Sequence, residues 1–126
     1  LLNLGHTFGH ALEAEAGYGG QVLHGEAVSV GMALAFRHSA RLGLCEAADI
    51  DRVEAHLGGV GLPVAPRQVM GQTLPTIDRL MTRMASDKKA EDGKLTLILT
   101  NGIGQSFIAK DADAAEVVKT WEQALA

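Results

Sequence analysis

The sequence predicts one mainly α, multi-helical domain carrying a single small β-hairpin. Three observations predict it. Apolar residues recur at three- and four-residue spacing in several separate stretches, glycines punctuate those stretches, and the period changes once, around Asn101-Gly102.

Leu1 to Ala16 reads as the first helix, with Leu1, Leu4, Phe8, Leu12 and Ala16 on one stripe. Gly17-Tyr18-Gly19-Gly20 stops it, and Gln21 to Leu23 reads as a short extended link. A second helix runs from His24 or Gly25 to about Leu42, with Gly43 as its stop. Its interior (Ala27, Val28, Val30, Met32, Ala33, Leu34, Ala35, Phe36) is apolar almost all round, which marks a helix covered on most faces. Glu46 to Leu57 is a third helix with Ile50, Val53 and Leu57 inward, closed by Gly58, Gly59, Gly61 and Pro63. Thr73 to Met84 is the fourth. Thr73 or Thr76 caps it, and Ile77, Leu80, Met81 and Met84 form its buried stripe. Lys94 to Thr100 is rich in β formers and is followed by Asn101-Gly102-Ile103-Gly104 and a second such run, Gln105 to Ala109. Asn-Gly between two β-like runs signals a hairpin. A last helix covers about Ala112 to Leu125.

The length of 126 residues suits a single domain, 1–126, with one core. A net charge of −4 lacks the basic stripe of a nucleic-acid surface. No apolar run approaches the ~20 residues that cross a bilayer, and no signal-peptide pattern is present. The single cysteine, Cys45, excludes an internal disulfide, so a reducing cytoplasm is the expected setting. The chain opens Leu1-Leu2-Asn3, without Met, and enters a helical pattern at once. It therefore reads as a fragment whose N-terminal neighbour is elsewhere.

The chemistry concentrates in histidines. His6 and His10 are four apart and share one helix face, separated by ~40° in azimuth and ~6 Å in rise. Gly5 and Gly9 form a matching pair beside them, a face without Cβ atoms that a second backbone or a ligand can approach. Two histidines at this spacing can chelate zinc, but Thr7 stands where a metalloprotease has glutamate, so the protease reading fails. If the chain descends ~15 Å from His6 to Ala16 and climbs back ~13 Å from Gly20, His24 comes level with His6 or His10. Glu26 then becomes a candidate acceptor for a histidine N–H. Spacing thus permits three imidazoles around one point and leaves the choice of ligands open.

At these residues the sequence resembles the 3-dehydroquinate synthases. The blocks are Asn3-Leu4-Gly5-His6-Thr7-Phe8-Gly9-His10-Ala11-Leu12-Glu13, then Leu23-His24-Gly25-Glu26-Ala27-Val28, then Ser86-Asp87-Lys88-Lys89. The resemblance implies the multi-helical C-terminal domain of that fold. It also implies conversion of 3-deoxy-D-arabino-heptulosonate 7-phosphate to 3-dehydroquinate plus phosphate in the shikimate pathway, a phosphate-eliminating lyase step using NAD. By resemblance, His6 and His24 are ligands to Zn2+ (or another divalent ion such as Co2+), with a glutamate from an absent N-terminal region. His10 is the catalytic acid/base group, and Asn3, Lys88 and Lys89 meet the sugar phosphate. NAD falls mainly to a missing N-terminal domain, so Gly102-Ile103-Gly104 reads as turn chemistry. The full enzyme is expected to be a homodimer, and the fragment alone inactive.

His38 and His56 are expected on helix surfaces, Cys45 as a small buried or helix-end residue, and the methionines as core. The related readings are other sugar-phosphate cyclases, of the 2-deoxy-scyllo-inosose or valiolone type, and, less well matched in spacing, metal-dependent polyol dehydrogenases. A non-catalytic metal-binding helical module is the reading of another class.

Overall fold

The computed structural model describes residues 4–16, 24–70, 74–87 and 94–126. Its elements are α1 (His6–Glu15), α2 (His24–Arg41), α3 (Ala47–Gly59), α4 (Pro66–Met70), α5 (Ile77–Asp87), β1 (Lys94–Thr100), β2 (Ser106–Asp113) and α6 (Ala114–Leu125).

Helix α1 begins later than the stripe suggested. Gly5 sits at φ +92°, a left-handed conformation that cannot continue an α-helix, so Leu4 belongs to a turn and the helix starts at His6. Helix α2 ends as expected at Gly43. The Leu44 N–H donates to the Ser39 carbonyl at 2.9 Å and the Gly43 N–H to that of Ala40 at 3.0 Å, which together satisfy carbonyls the helix leaves open. At the start of α3 the Glu46 N–H donates to Asp49 Oδ2 at 3.2 Å. Thr76 caps α5, its Oγ1 accepting from the Arg79 N–H at 3.2 Å, while Thr73 lies outside the described residues. Asp113 caps α6 by accepting from the Ala115 N–H at 2.9 Å, so that helix begins two residues after the expected Ala112.

The hairpin is antiparallel, with Thr100 opposite Ser106 and Lys94 opposite Asp113. Its second strand extends to Asp113, beyond the expected Ala109, because it pairs along the whole of β1 as far as Lys94, with one extra residue taken up in a bulge opposite Leu95 to Leu97. The connection folds back on itself: the Asn101 N–H donates to the Gln105 carbonyl at 3.1 Å, and the Gln105 N–H to that of Gly102 at 3.0 Å. Gly102 and Gly104 are therefore turn residues.

Helix α2 is the centre, packed by α1, α3, α4, α6 and β1. That explains its apolar residues on nearly every face. The core joins Phe8 and Leu12 of α1, Val30 and Leu34 of α2, Leu80 and Met84 of α5, Leu97 of β1, and Val117 and Trp121 of α6. Each such burial contributes ~1.5–3 kcal/mol relative to exposure. On α3 only Leu57 is fully buried, with Ile50 and Val53 partly covered.

Two expectations need correction. His38 is not on a surface: it is fully buried on α2, with its Nδ1 2.7 Å from Thr120 Oγ1 on α6 and its ring 5.9 Å from that of Phe8. His56 is exposed, as expected. Helix α4 carries no sequence signature, since five residues are too few to show a 3.6-residue period. Cys45 is partly buried in the link between α2 and α3, its Sγ 3.7 Å from the Phe36 carbonyl, and burial pushes its thiol up from the ordinary value.

Candidate metal centre

Helices α1 and α2 meet backbone to backbone through glycines. A Cβ at Gly9 would stand 2.7 Å from the Ala27 carbonyl oxygen, and one at Gly5 would stand 2.6 Å from the Met32 backbone nitrogen. A Cβ at Gly31 would overlap the Gly5 carbonyl. The bare face beside His6 and His10 is therefore filled by the α2 backbone. The two helices run in opposite directions, one turn against one turn: Gly5 meets Met32, Gly9 meets Val28 and Glu13 meets His24.

This register brings the three histidines together. Ring centroids are 5.0 Å apart for His6 and His10, 5.5 Å for His6 and His24, and 6.0 Å for His10 and His24. His24 does return beside the first helix as its spacing allowed; the path by which it does so, residues 17–23, lies outside the described residues. His6 and His10 are half-buried, whereas the His24 side chain is 56% exposed.

A fourth group joins them that the sequence reading did not assign. The His24 Nδ1 lies 3.2 Å from Glu13 Oε1 and 3.3 Å from Oε2. An ionised carboxylate only accepts, so in this contact the Nδ1–H donates, and in a neutral ring that tautomer leaves the lone pair on Nε2. The carboxylate on His24 Nδ1 is thus Glu13. A signal for Glu13 was available: seven residues after His6 is ~20° from the same azimuth, so His6, His10 and Glu13 form one stripe.

These residues suit a divalent cation. His6 Nδ1 is buried and has no hydrogen-bond partner among the described residues. Donor atoms of His10, Glu13 and His24 lie within 4.8 Å of one another. Two imidazoles bound tetrahedrally at a metal–nitrogen distance of about 2 Å place their centroids roughly 5 Å apart, close to the spacing found. Imidazole and carboxylate donors are those of zinc and neighbouring transition ions. Ring separation alone suits any pair of the three histidines. Asn3, Lys88 and Lys89 lie outside the described residues.

The 3-dehydroquinate synthase C-terminal family model matches residues 1–90. The 3-dehydroquinate synthase of Rhodospirillum rubrum is 54% identical over 126 residues, covering 100% of this chain and 33% of that protein. That of Brucella ovis is 55% identical over 127 residues, with the same two shares. The chain spans about a third of the length of the curated relatives it matches. Among solved structures, a 2-epi-5-epi-valiolone synthase from Streptomyces hygroscopicus subsp. jinggangensis 5008, with NAD+ and Zn2+ bound, superimposes with a TM-score of 0.76 at 27% identity. It is matched over 98% of this chain and 32% of that one. A 2-deoxy-scyllo-inosose synthase complexed with carbaglucose-6-phosphate, NAD+ and Co2+ gives a TM-score of 0.78 at 23% identity, over 97% of this chain and 34% of that one. At that identity the likeness speaks to the fold.

Proposed function

The chain belongs to the 3-dehydroquinate synthase C-terminal family, and from that premise we propose that it supplies the metal- and substrate-binding part of a 3-dehydroquinate synthase. The reaction is conversion of 3-deoxy-D-arabino-heptulosonate 7-phosphate to 3-dehydroquinate and phosphate, in the shikimate pathway. The observation that carries the reading is the meeting of three imidazoles, 5.0 to 6.0 Å apart, across the α1–α2 contact. Identity of 54–55% with curated 3-dehydroquinate synthases, against 23–27% with the two other cyclases, favours this substrate over theirs.

In this reading His6 and His24 hold Zn2+ or a similar ion such as Co2+. When bound there, the cation supplies Lewis acidity to a substrate oxygen, and NAD, held mainly by the rest of a longer protein, supplies hydride exchange. His10, beside both ligands, takes and returns a proton at a ring nitrogen. Asn3 donates to the sugar phosphate, and Lys88 or Lys89 pairs with its anionic groups. The same reading makes the working enzyme a cytoplasmic homodimer and leaves this portion inactive by itself.

The test is phosphate release and metal content in the full-length protein. His6→Ala and His24→Ala should lose both metal and turnover. His10→Ala should keep its metal while turnover falls about 10²- to 10⁴-fold. Metal loss in His10→Ala, or retention in the other two, overturns the assignment. Failure of the wild-type protein to release phosphate from this substrate, with turnover of another sugar phosphate, makes it a different cyclase.

A further inference from the structure

We infer that Glu13 is a positioning residue for His24: its carboxylate fixes the ring through Nδ1 and leaves Nε2 as the nitrogen that meets a divalent cation. The inference rests on the metal reading above and adds a role that reading does not contain.

Three observations carry it. His24 stands at the very start of α2 with 56% of its side chain exposed, so packing alone does not hold its ring. Both Glu13 oxygens stand at hydrogen-bond distance from Nδ1, at 3.2 and 3.3 Å. Glu13 itself is largely covered, at 19% exposure, and it is delivered to His24 by the same glycine-set register that joins α1 to α2. A carboxylate on the far nitrogen of a metal-binding histidine selects its tautomer, limits its rotation and raises the basicity of the ligating nitrogen. Glu13 meets these requirements.

The experiment measures Co2+ affinity of the full-length protein by competition with a chelator, together with the visible spectrum of the bound Co2+. Glu13→Ala should weaken affinity about 10- to 100-fold. At saturation its spectrum should keep the wild-type band positions, because the ligand set is unchanged. Glu13→Gln, whose amide oxygen still accepts from Nδ1, should recover part of the loss. Should Glu13→Ala fail to fold, Glu13→Asp carries the test: the charge is kept, the reach is one methylene shorter, and affinity should fall about 10-fold. Wild-type affinity in Glu13→Ala or Glu13→Asp overturns the inference, as does a Gln variant no better than Ala. Shifted bands in the Ala and Gln variants would make Glu13 a ligand, and so overturn it too. His24→Ala separates the two levels. If it binds Co2+ like the wild type, the metal reading itself has failed, whatever Glu13 does.

Discussion

Gly31 of α2 lies directly on the carbonyl of Gly5, so that a methyl group on Gly31 would occupy the place of that oxygen. This contact lies between the helices that carry His6, Glu13 and His24, so the proposed metal site makes stability and metal retention depend on it together. Gly31→Ala should push α1 and α2 apart, cost about 1–3 kcal/mol in overpacking, and weaken metal retention. Gly58→Ala, in a helix with open space around the new Cβ, should instead be neutral or gain up to ~1 kcal/mol. Thermal unfolding and metal content of the two variants make the comparison. A Gly31→Ala protein that keeps wild-type values would show that the contact does not set the site.

His38 predicts an acid-sensitive fold. Burial pushes its imidazole down to about 4 from an ordinary 6.5; the nearby Arg41 adds to this and Glu116 opposes it. Its Nε2 is buried without a hydrogen-bond partner among the described residues, so a proton there would be poorly solvated. Below pH ~6.5 the unfolded chain takes up a proton that the fold refuses until about pH 4. Stability from this group is therefore full above pH ~6.5, declines as pH falls to about 4, and is flat below, for a total of about 3 kcal/mol. Urea unfolding between pH 8 and 4 should show this slope in the wild type and a shallower one in His38→Leu. Equal slopes in the two proteins would remove His38 as the cause.

Glu15 predicts a second loss of stability on acidification, at lower pH than that of His38. Its side chain is 5% exposed and is held by Arg83 Nε at 2.8 Å and Arg79 Nε at 2.6 Å, tying α1 to α5. The hydrogen bond from Arg83 holds its carboxyl below the usual value, against the effect of burial and with help from Arg79. This contribution is present above pH ~4.5 and is lost as pH falls below it. Both arginines are substantially exposed, so screening keeps the effect small: Glu15→Gln should cost about 1 kcal/mol at pH 7 and less at pH 3. A difference that persists unchanged at pH 3 would contradict it.

Trp121 closes the core from α6, fully buried, with its indole N–H directed at Met84 Sδ at 3.2 Å and its ring 5.4 Å from that of Phe8. Trp121→Ala should cost about 3–5 kcal/mol through the cavity it leaves. Met84→Leu keeps the volume and loses only the sulfur acceptor, for about 1 kcal/mol. Calorimetric midpoints of the pair would distinguish packing from the polar contact, and equal losses would argue against this ranking.

The hairpin and every helix but α4 were legible because their signals are local. A 3.6-residue stripe, a glycine such as Gly43 past the last turn, or Asn101-Gly102 between two β-rich runs reflects backbone geometry over a few residues. Where boundaries moved, the cause was also local but finer than the pattern. Gly5 adopts a left-handed conformation, Asp113 caps α6, and β2 carries an extra residue in a bulge opposite Leu95 to Leu97.

The sequence by itself determined that His6 and His10 share a face, that a glycine pair lies beside them, and that α2 is apolar nearly all round. Only the tertiary structure decided what those faces meet. An all-round apolar helix does not say which neighbour covers which side, so His38 looked like a surface residue until α6 placed Thr120 against it. Glu13 sat on the His6–His10 stripe in plain view, yet its role depends on where α2 begins relative to α1. That register is set by the close approach of Gly5, Gly9 and Gly31, residues far apart in the chain, and helical periodicity carries no information about such contacts.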